Sequence, residues 1–169
     1  MMKFETLTED DFETFIEWID SKELLIQIAG TVFTYPLTHD QLRPYLGNQN
    51  SLRFNVLNDS ENKVIGHAQI CLLDNGLCKL DKIIIDKSFR GKGFGPELIT
   101  ELVNYAYKKL NANLVELNVY SWNTAGIRCY EKAGFKMNPE KNFITEADGY
   151  RWEALNMVFE KDPWLESQQ

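Results

Sequence analysis

A mixed α/β domain, with a central sheet layered between helices, is the fold class that this sequence predicts. Three observations predict it. The two longest helical patterns in the second half of the chain each follow directly on a strand pattern. The strands upstream of them run as a meander joined by turn signals. A glycine-rich turn, Arg90-Gly91-Lys92-Gly93-Phe94-Gly95, links the apolar stretch Leu80–Ile85 to the longer helix.

Taken in order, Met2–Leu7 alternates enough for a first strand. Thr8 is a good helix N-cap, with Asp11 completing part of a capping box. The helix after it carries Phe12, Phe15, Ile16 and Ile19 on one face. Ser21 caps a second helix that ends near Gly30, and Thr31–Leu37 reads as a loop or short extended piece. Thr38–Leu46 reads as a further short helix that Pro44 distorts. Leu52–Asn58 and Lys63–Leu73 form an antiparallel pair, and Asp74-Asn75-Gly76 marks a second hairpin before the strand Leu77–Asp86. The helix from Phe94 to Leu110 should bury Leu98, Ile99, Leu102, Val103, Ala106 and Leu110. Leu114–Tyr120 is a strand, and a helix over Thr124–Lys132 stops at Gly134. Phe135–Met137 opens another strand, Asn138–Gly149 is a loop, and Tyr150–Glu160 is the last strand. Residues 1–161 are expected to form a single domain, with 162–169 as a frayed tail.

Composition narrows the function. With 169 residues and 44% hydrophobic content, the chain can bury a normal core. It has no apolar run of the ~18 residues that a membrane span needs. The N-terminus lacks the apolar region of a signal peptide, so a cytoplasmic location and no membrane partner are expected. A net charge of −7 disfavours sequence-independent binding to nucleic acid and would favour a cationic small substrate through steering. Cys71, Cys78 and Cys129 lack C-x-x-C spacing, and His39 and His67 lack ligand spacing; reduced thiols, structural histidines and no metal are the expectation.

The glycine turn carries the chemistry. A turn between strand and helix exposes several backbone N–H groups, and the helix N-terminus adds unsatisfied donors and partial positive charge. That is a seat for phosphate, and Arg90 and Lys92 add full charges. The P-loop pattern fails, because Pro96, five residues after Gly91, stands where its second glycine would be. The dinucleotide fingerprint fits poorly, because the spacing is G-x-G-x-G and Asp86, Lys87 and Arg90 intervene after the strand. R-G-K-G-F-G instead resembles the Arg/Gln-x-x-Gly-x-Gly/Ala signature of the GNAT superfamily of N-acetyltransferases. The lead-in L-D-K-I-I-I-D-K-S-F resembles that family's fourth strand and turn. Asn123–Phe135, N-T-A-G-I-R-C-Y-E-K-A-G-F, is similar to its second cofactor segment. Lys87 departs from the pattern, since many relatives carry Pro there; the position only shapes the turn.

The resemblance implies a three-layer fold with a mixed, mostly antiparallel central sheet, helices on both faces, and a splay between the fourth and fifth strands. It implies acetyl-CoA as cosubstrate, with its pyrophosphate on Phe89, Arg90, Gly91, Lys92, Gly93, Phe94, Gly95 and Pro96. Pro96 has no N–H to donate. The pantetheine arm would lie in the splay along Ile83, Ile84 and Ile85, with Asn123 touching it or capping the helix. The reaction would be direct attack by a primary amine through a tetrahedral intermediate. A backbone N–H near Ile84 or Ile85 would face the oxyanion, and Tyr130 would serve as general acid. Asp81, read by strand period as sharing a face with Ile83 and Ile85, is the candidate base, with Glu116 and Asn118 as alternatives. From the family's architecture, Trp18, Phe33 and Tyr35 would line the acceptor pocket, and Asp20, Glu23, Glu146 and Asp148 could pair with its ammonium. A polyamine, an aminoglycoside or a protein N-terminus would serve as acceptor, and relatives are often monomers or homodimers. The competing reading is a non-catalytic acyl-CoA sensor.

Overall fold

The computed structural model describes residues 2–147 and 149–161. The expected tail, 162–169, and Asp148 lie outside the described residues. The strands are β1 (Met2–Thr6), β2 (Ser51–Asn58), β3 (Lys63–Leu72), β4 (Leu77–Ile85), β5 (Leu114–Tyr120), β6 (Lys136–Met137), β7 (Phe143–Ala147) and β8 (Tyr150–Phe159). The helices are α1 (Phe12–Trp18), α2 (Lys22–Ala29), α3 (His39–Leu46), α4 (Phe94–Lys109) and α5 (Thr124–Lys132).

One sheet takes the order β1-β2-β3-β4-β5-β8-β6, with β7 also on β8. All neighbours are antiparallel except β4 and β5, which run parallel. Parallel neighbours need a crossover, and α4 supplies it. Its apolar stripe, Leu98, Ile99, Leu102, Val103 and Ala106, is buried with Val56, Ile70, Leu80 and Leu117 of the sheet. Leu110 is only partly buried, and Tyr107 joins the stripe instead, its hydroxyl donating to the Phe159 carbonyl at 2.7 Å. A second core cluster lies under the N-terminal helices, built on Phe12, Phe15, Leu25, Leu42 and Ile84. Burying a side chain of that size stabilises by about 1.5–3 kcal/mol, so these helices are held by their apolar faces more than by propensity.

Local chemistry accounts for the helix ends. The Ser21 hydroxyl accepts from the Leu24 N–H at 3.2 Å, and Gly30, at φ 58°, ends α2. Asn123 Oδ1 accepts from the Gly126 N–H at 3.0 Å and starts α5. The expected loop over Asn138–Gly149 is corrected. It holds a short 3-10 turn, Pro139–Lys141, and then β7, which pairs with β8 from Phe143↔Ala154 to Ala147↔Tyr150. The segment Phe-Ile-Thr-Glu-Ala carries a weak strand signal of its own, and its conformation comes from the long β8 beside it.

Candidate functional site

β4 and β5 pair only from Leu77↔Leu114 to Leu80↔Leu117. Beyond that point β4 stays with β3 up to Gly66↔Ile85, while β5 stays with β8 up to Tyr120↔Ala154. The two strands therefore diverge, and β4 presents an edge without a strand partner on the β5 side. The gap is a cleft of about 610 Å³, walled by Leu80–Ile85, Leu117 and Asn118, the glycine turn and α5, and roofed by Leu24, Gln27 and Ile28 of α2.

The glycine turn forms one end. Gly91 and Gly93 sit at φ 73° and 88°, a backbone that an L side chain rarely adopts. A Cβ at either would meet nothing within 4 Å, so the space over them is open. Gly93 is the residue before α4, and the N–H groups of residues 91–95 have no backbone partner among the described residues. The result is an anion seat of fixed dipoles at a helix start. Arg90 Nε donates to the Ile85 carbonyl at 2.8 Å, which ties the turn to β4. Arg128 and Lys132 of α5 line the cleft one helical turn apart. The donor set therefore fits a ligand with phosphates at one end and an extended arm. Phe89 is buried against Phe94, and Lys92 Nζ lies 5.3 Å from the Phe89 ring centre. Phe89, Lys92 and Phe94 thus shape the turn without lining the cleft.

Ile83, Ile84, Ile85, Arg90, Gly91, Gly93, Gly95, Pro96, Asn123, Tyr130 and Asp81 do come together around the cleft. Tyr130 packs edge-on against Phe135 at 6.3 Å. Burial pushes its hydroxyl well above the usual phenol range, and Cys129 and the Asp81 charge add to this, so it stands as a protonated donor.

Asp81 is not where strand period puts it. His67 pairs with Ile84 but Gln69 with Asp81, so β4 holds one extra residue against β3. This bulge centres on Lys82, whose φ is 46°. Alternation slips there: Leu80, Ile83 and Ile85 all face the α4 core, while Ile84 joins the core under the N-terminal helices. Asp81 keeps company with Lys82 and Ile84 rather than with Ile83 and Ile85. Its Oδ1 accepts from the Lys82 N–H at 2.9 Å and its Oδ2 from Lys82 Nζ at 3.0 Å.

The other candidates are scattered. Glu116 is bound to Lys141 Nζ at 2.9 Å and does not line the cleft, whereas Asn118 does and accepts from Asn156 Nδ2 at 2.9 Å. Phe33, Tyr35 and Glu146 line a second cavity of about 330 Å³ with Lys22, Leu25 and Ile26 of α2. Trp18 lines neither cavity; its indole is among the groups that hold the Asp86 carboxyl below the usual range, the Ser88 N–H at 2.8 Å being the largest. Asp20 and Glu23 line neither cavity. Sequence reasoning missed the α2 roof, the Lys82 bulge and the pair Arg128 and Lys132. For the last, the spacing of four residues on an amphipathic helix was an available signal.

A sheet opened between parallel neighbours, with a helix-start anion seat at one end, defines a fold that holds an extended anionic ligand by its backbone. The chain belongs to the acetyltransferase (GNAT) family, whose model matches residues 8–135. It is 32% identical over 72 residues, 43% of this chain and 47% of the relative, to a probable spermine N(1)-acetyltransferase of Bacillus subtilis subsp. natto. That match spans about half of the curated relative's length. It is 23% identical over 167 residues to a type 1 aminoglycoside N(6')-acetyltransferase of Klebsiella pneumoniae, covering 85% and 76% of the two chains. Among solved structures, the spermidine N-acetyltransferase of Vibrio cholerae in complex with CoA and spermine superposes with a TM-score of 0.81 over 97% of this chain and 98% of that one, at 18% identity. An aminoglycoside acetyltransferase in complex with coenzyme A gives 0.75 over the full length of both, at 20% identity. The family's layout, with its splay, is thus the layout found here.

Proposed function

We propose that the protein transfers an acetyl group from acetyl-CoA to a primary amine of a small molecule. The observation that carries this is the cleft itself: an unpartnered β4 edge running into two left-handed glycines with open space above them. In this reading, backbone N–H groups of Gly91, Gly93 and Gly95 hold the diphosphate, Arg128 and Lys132 add charge, and the free edge of Asp81–Ile85 hydrogen-bonds the pantetheine arm. The bound thioester supplies the activated acyl group. β4 N–H groups favour the carbonyl oxygen as it gains charge. The nitrogen bonds to the acyl carbon, the carbon–sulfur bond breaks, the Tyr130 O–H protonates the sulfur, and the amine proton leaves to water. The acceptor enters beneath α2. The second cavity, with its aromatic rings and Glu146, suits the far end of a polyamine or aminoglycoside, the substrates that the relatives' names carry.

Calorimetry with coenzyme A, followed by an amine panel read out by free thiol released from acetyl-CoA, tests the proposal. Saturable coenzyme binding and turnover with at least one amine are expected. No binding at millimolar coenzyme would end the reading, and binding without turnover of any amine would favour an acyl-CoA sensor.

A further inference from the structure

Among the residues lining the cleft, Asp81 is the one acid, facing the cations Lys82, Arg90, Arg128 and Lys132. An acid in an amine-acetylating site invites the reading that it captures the acceptor's ammonium. Its surroundings say otherwise. Both carboxylate oxygens already accept from Lys82, one from the main chain and one from Nζ. The Lys82 side chain is 6% exposed and that of Asp81 27%. Lys82 Nζ also donates to Gln69 Oε1 at 3.0 Å and lies 5.5 Å from the Tyr45 ring centre. The ammonium is thus fixed by a carboxylate, an amide and a ring, from β4, β3 and α3. It stands on a left-handed backbone in mid-strand that no glycine relieves. The charged or titratable groups around the pair are Asp11 just before α1, Arg53 of β2, His67 and Cys71 of β3, Lys79 of β4, Tyr45 of α3, Tyr120 of β5 and Tyr130 of α5. Of these groups Asp11 is the one further carboxylate; it acts on His67 and does not line the cleft, and α2 faces the cleft with Leu24, Gln27 and Ile28, which carry no charge.

We propose that Lys82 is a positioning residue that occupies the Asp81 carboxylate, so that an acceptor amine approaches the thioester without being trapped there as its ammonium. This rests on the acetyl-transfer reading above. An ammonium bound to a bare carboxylate has no free lone pair and cannot attack, so a site that bound it tightly would gain affinity and lose rate. With Lys82 in place the pair is neutral, and the amine's recognition falls to the rest of the cleft and to the second cavity. The acceptor class that follows is an amine whose attacking nitrogen sits at the end of an uncharged arm, with its other charges held outside the cleft.

The test is binding of n-butylamine to the coenzyme A complex at pH 7, measured by calorimetry in wild type, Lys82→Met, Lys82→Gln and Lys82→Arg. Removing the ammonium should tighten amine binding by about tenfold in the Met and Gln variants, the scale of one charge-assisted hydrogen bond. Lys82→Arg should restore the weak wild-type value, and Asp81→Asn placed on Lys82→Met should abolish the gain. With an amine that the enzyme turns over, KM and kcat should fall together in Lys82→Met, a pattern that a merely structural lysine would not produce. Unchanged amine affinity in folded variants that still bind coenzyme A would overturn the proposal. So would loss of the folded state in both the Met and Gln variants, which would assign the ammonium to the core. Because the binding measurement needs no turnover, its result separates this proposal from the acetyl-transfer reading, which fails on coenzyme binding and on the amine panel.

Discussion

Tyr130 is half-buried and His67 fully buried, and burial acts on them in opposite senses because one is neutral when protonated and the other charged. For Tyr130 the proton is held more tightly than in water, so the hydroxyl remains a donor across the whole assay range. Under the proposed acid role, Tyr130→Phe should lower turnover by about 100-fold or more while coenzyme A affinity stays within about twofold, because the substitution removes only the hydroxyl that would donate to sulfur. Steady-state kinetics beside calorimetry will separate the two. In the wild type, no decline in rate attributable to Tyr130 should occur below pH ~10. His67 is lowered to about 3, by burial first and by the Lys82 charge second, and its Nε2 lies 2.9 Å from the Tyr45 hydroxyl. A folded value below the unfolded ~6.5 means that the contribution is complete above pH ~6.5 and is lost as pH falls from there toward 3. Stability should therefore drop between pH 6.5 and 5 by about 1.4 kcal/mol per unit. Urea melts at several pH values will check this, and His67→Gln should flatten the slope in that window.

At the scale of elements, the start of α4 does two jobs with one conformation. Gly93, left-handed at φ 88°, both turns the chain into the helix and leaves the N–H groups around it without backbone partners among the described residues. Gly93→Ala should cost about 1–2 kcal/mol of stability, all of it from the backbone because a Cβ there meets no neighbour. It should also weaken coenzyme A binding, and denaturant melts with calorimetry will read the two effects separately. Gly126 is constrained differently: a Cβ there would fall 2.6 Å from Asn123 Nδ2, so the α5 cap requires a glycine three residues on. The Gly126 constraint, which depends on the cap's geometry, was not legible in the sequence; the glycine turn and the Asn123 cap were, because turn chemistry and caps are local. So were β5 and α5, whose expected and observed bounds coincide at Leu114–Tyr120 and Thr124–Lys132. β7 was not legible, because Phe143–Ala147 owes its strand to hydrogen bonds with a partner that begins three residues later at Tyr150. The Lys82 bulge was not legible either: a left-handed lysine has no signature in a strand, and one inserted residue moves Asp81 to another face.

For the whole molecule, an acidic chain of net charge −7 encloses a cleft lined by one acid and four bases, so its field is sorted by region. Composition alone suggested a cationic ligand, and the motif an anionic one; the cleft, with four bases to one acid, answers to the second. Coenzyme A at about 100 times its Kd should stabilise the fold by about 2.7 kcal/mol, raising the melting temperature by roughly 5–10 °C. Differential scanning fluorimetry will measure it, and adenosine alone should give much less. The divergence of β4 from β5 has a last consequence, for the amide protons of the gap. Leu77–Leu80 lie inside a closed ladder, while from Asp81 to Ile85 the N–H groups that point away from β3, other than that of Lys82, which Asp81 Oδ1 accepts, have no strand partner on the β5 side. In heavy water the first set should label slowly and the second quickly. A ligand that lies along β4 would slow the second set without touching the first, turning a strand with one wet edge into an inner strand.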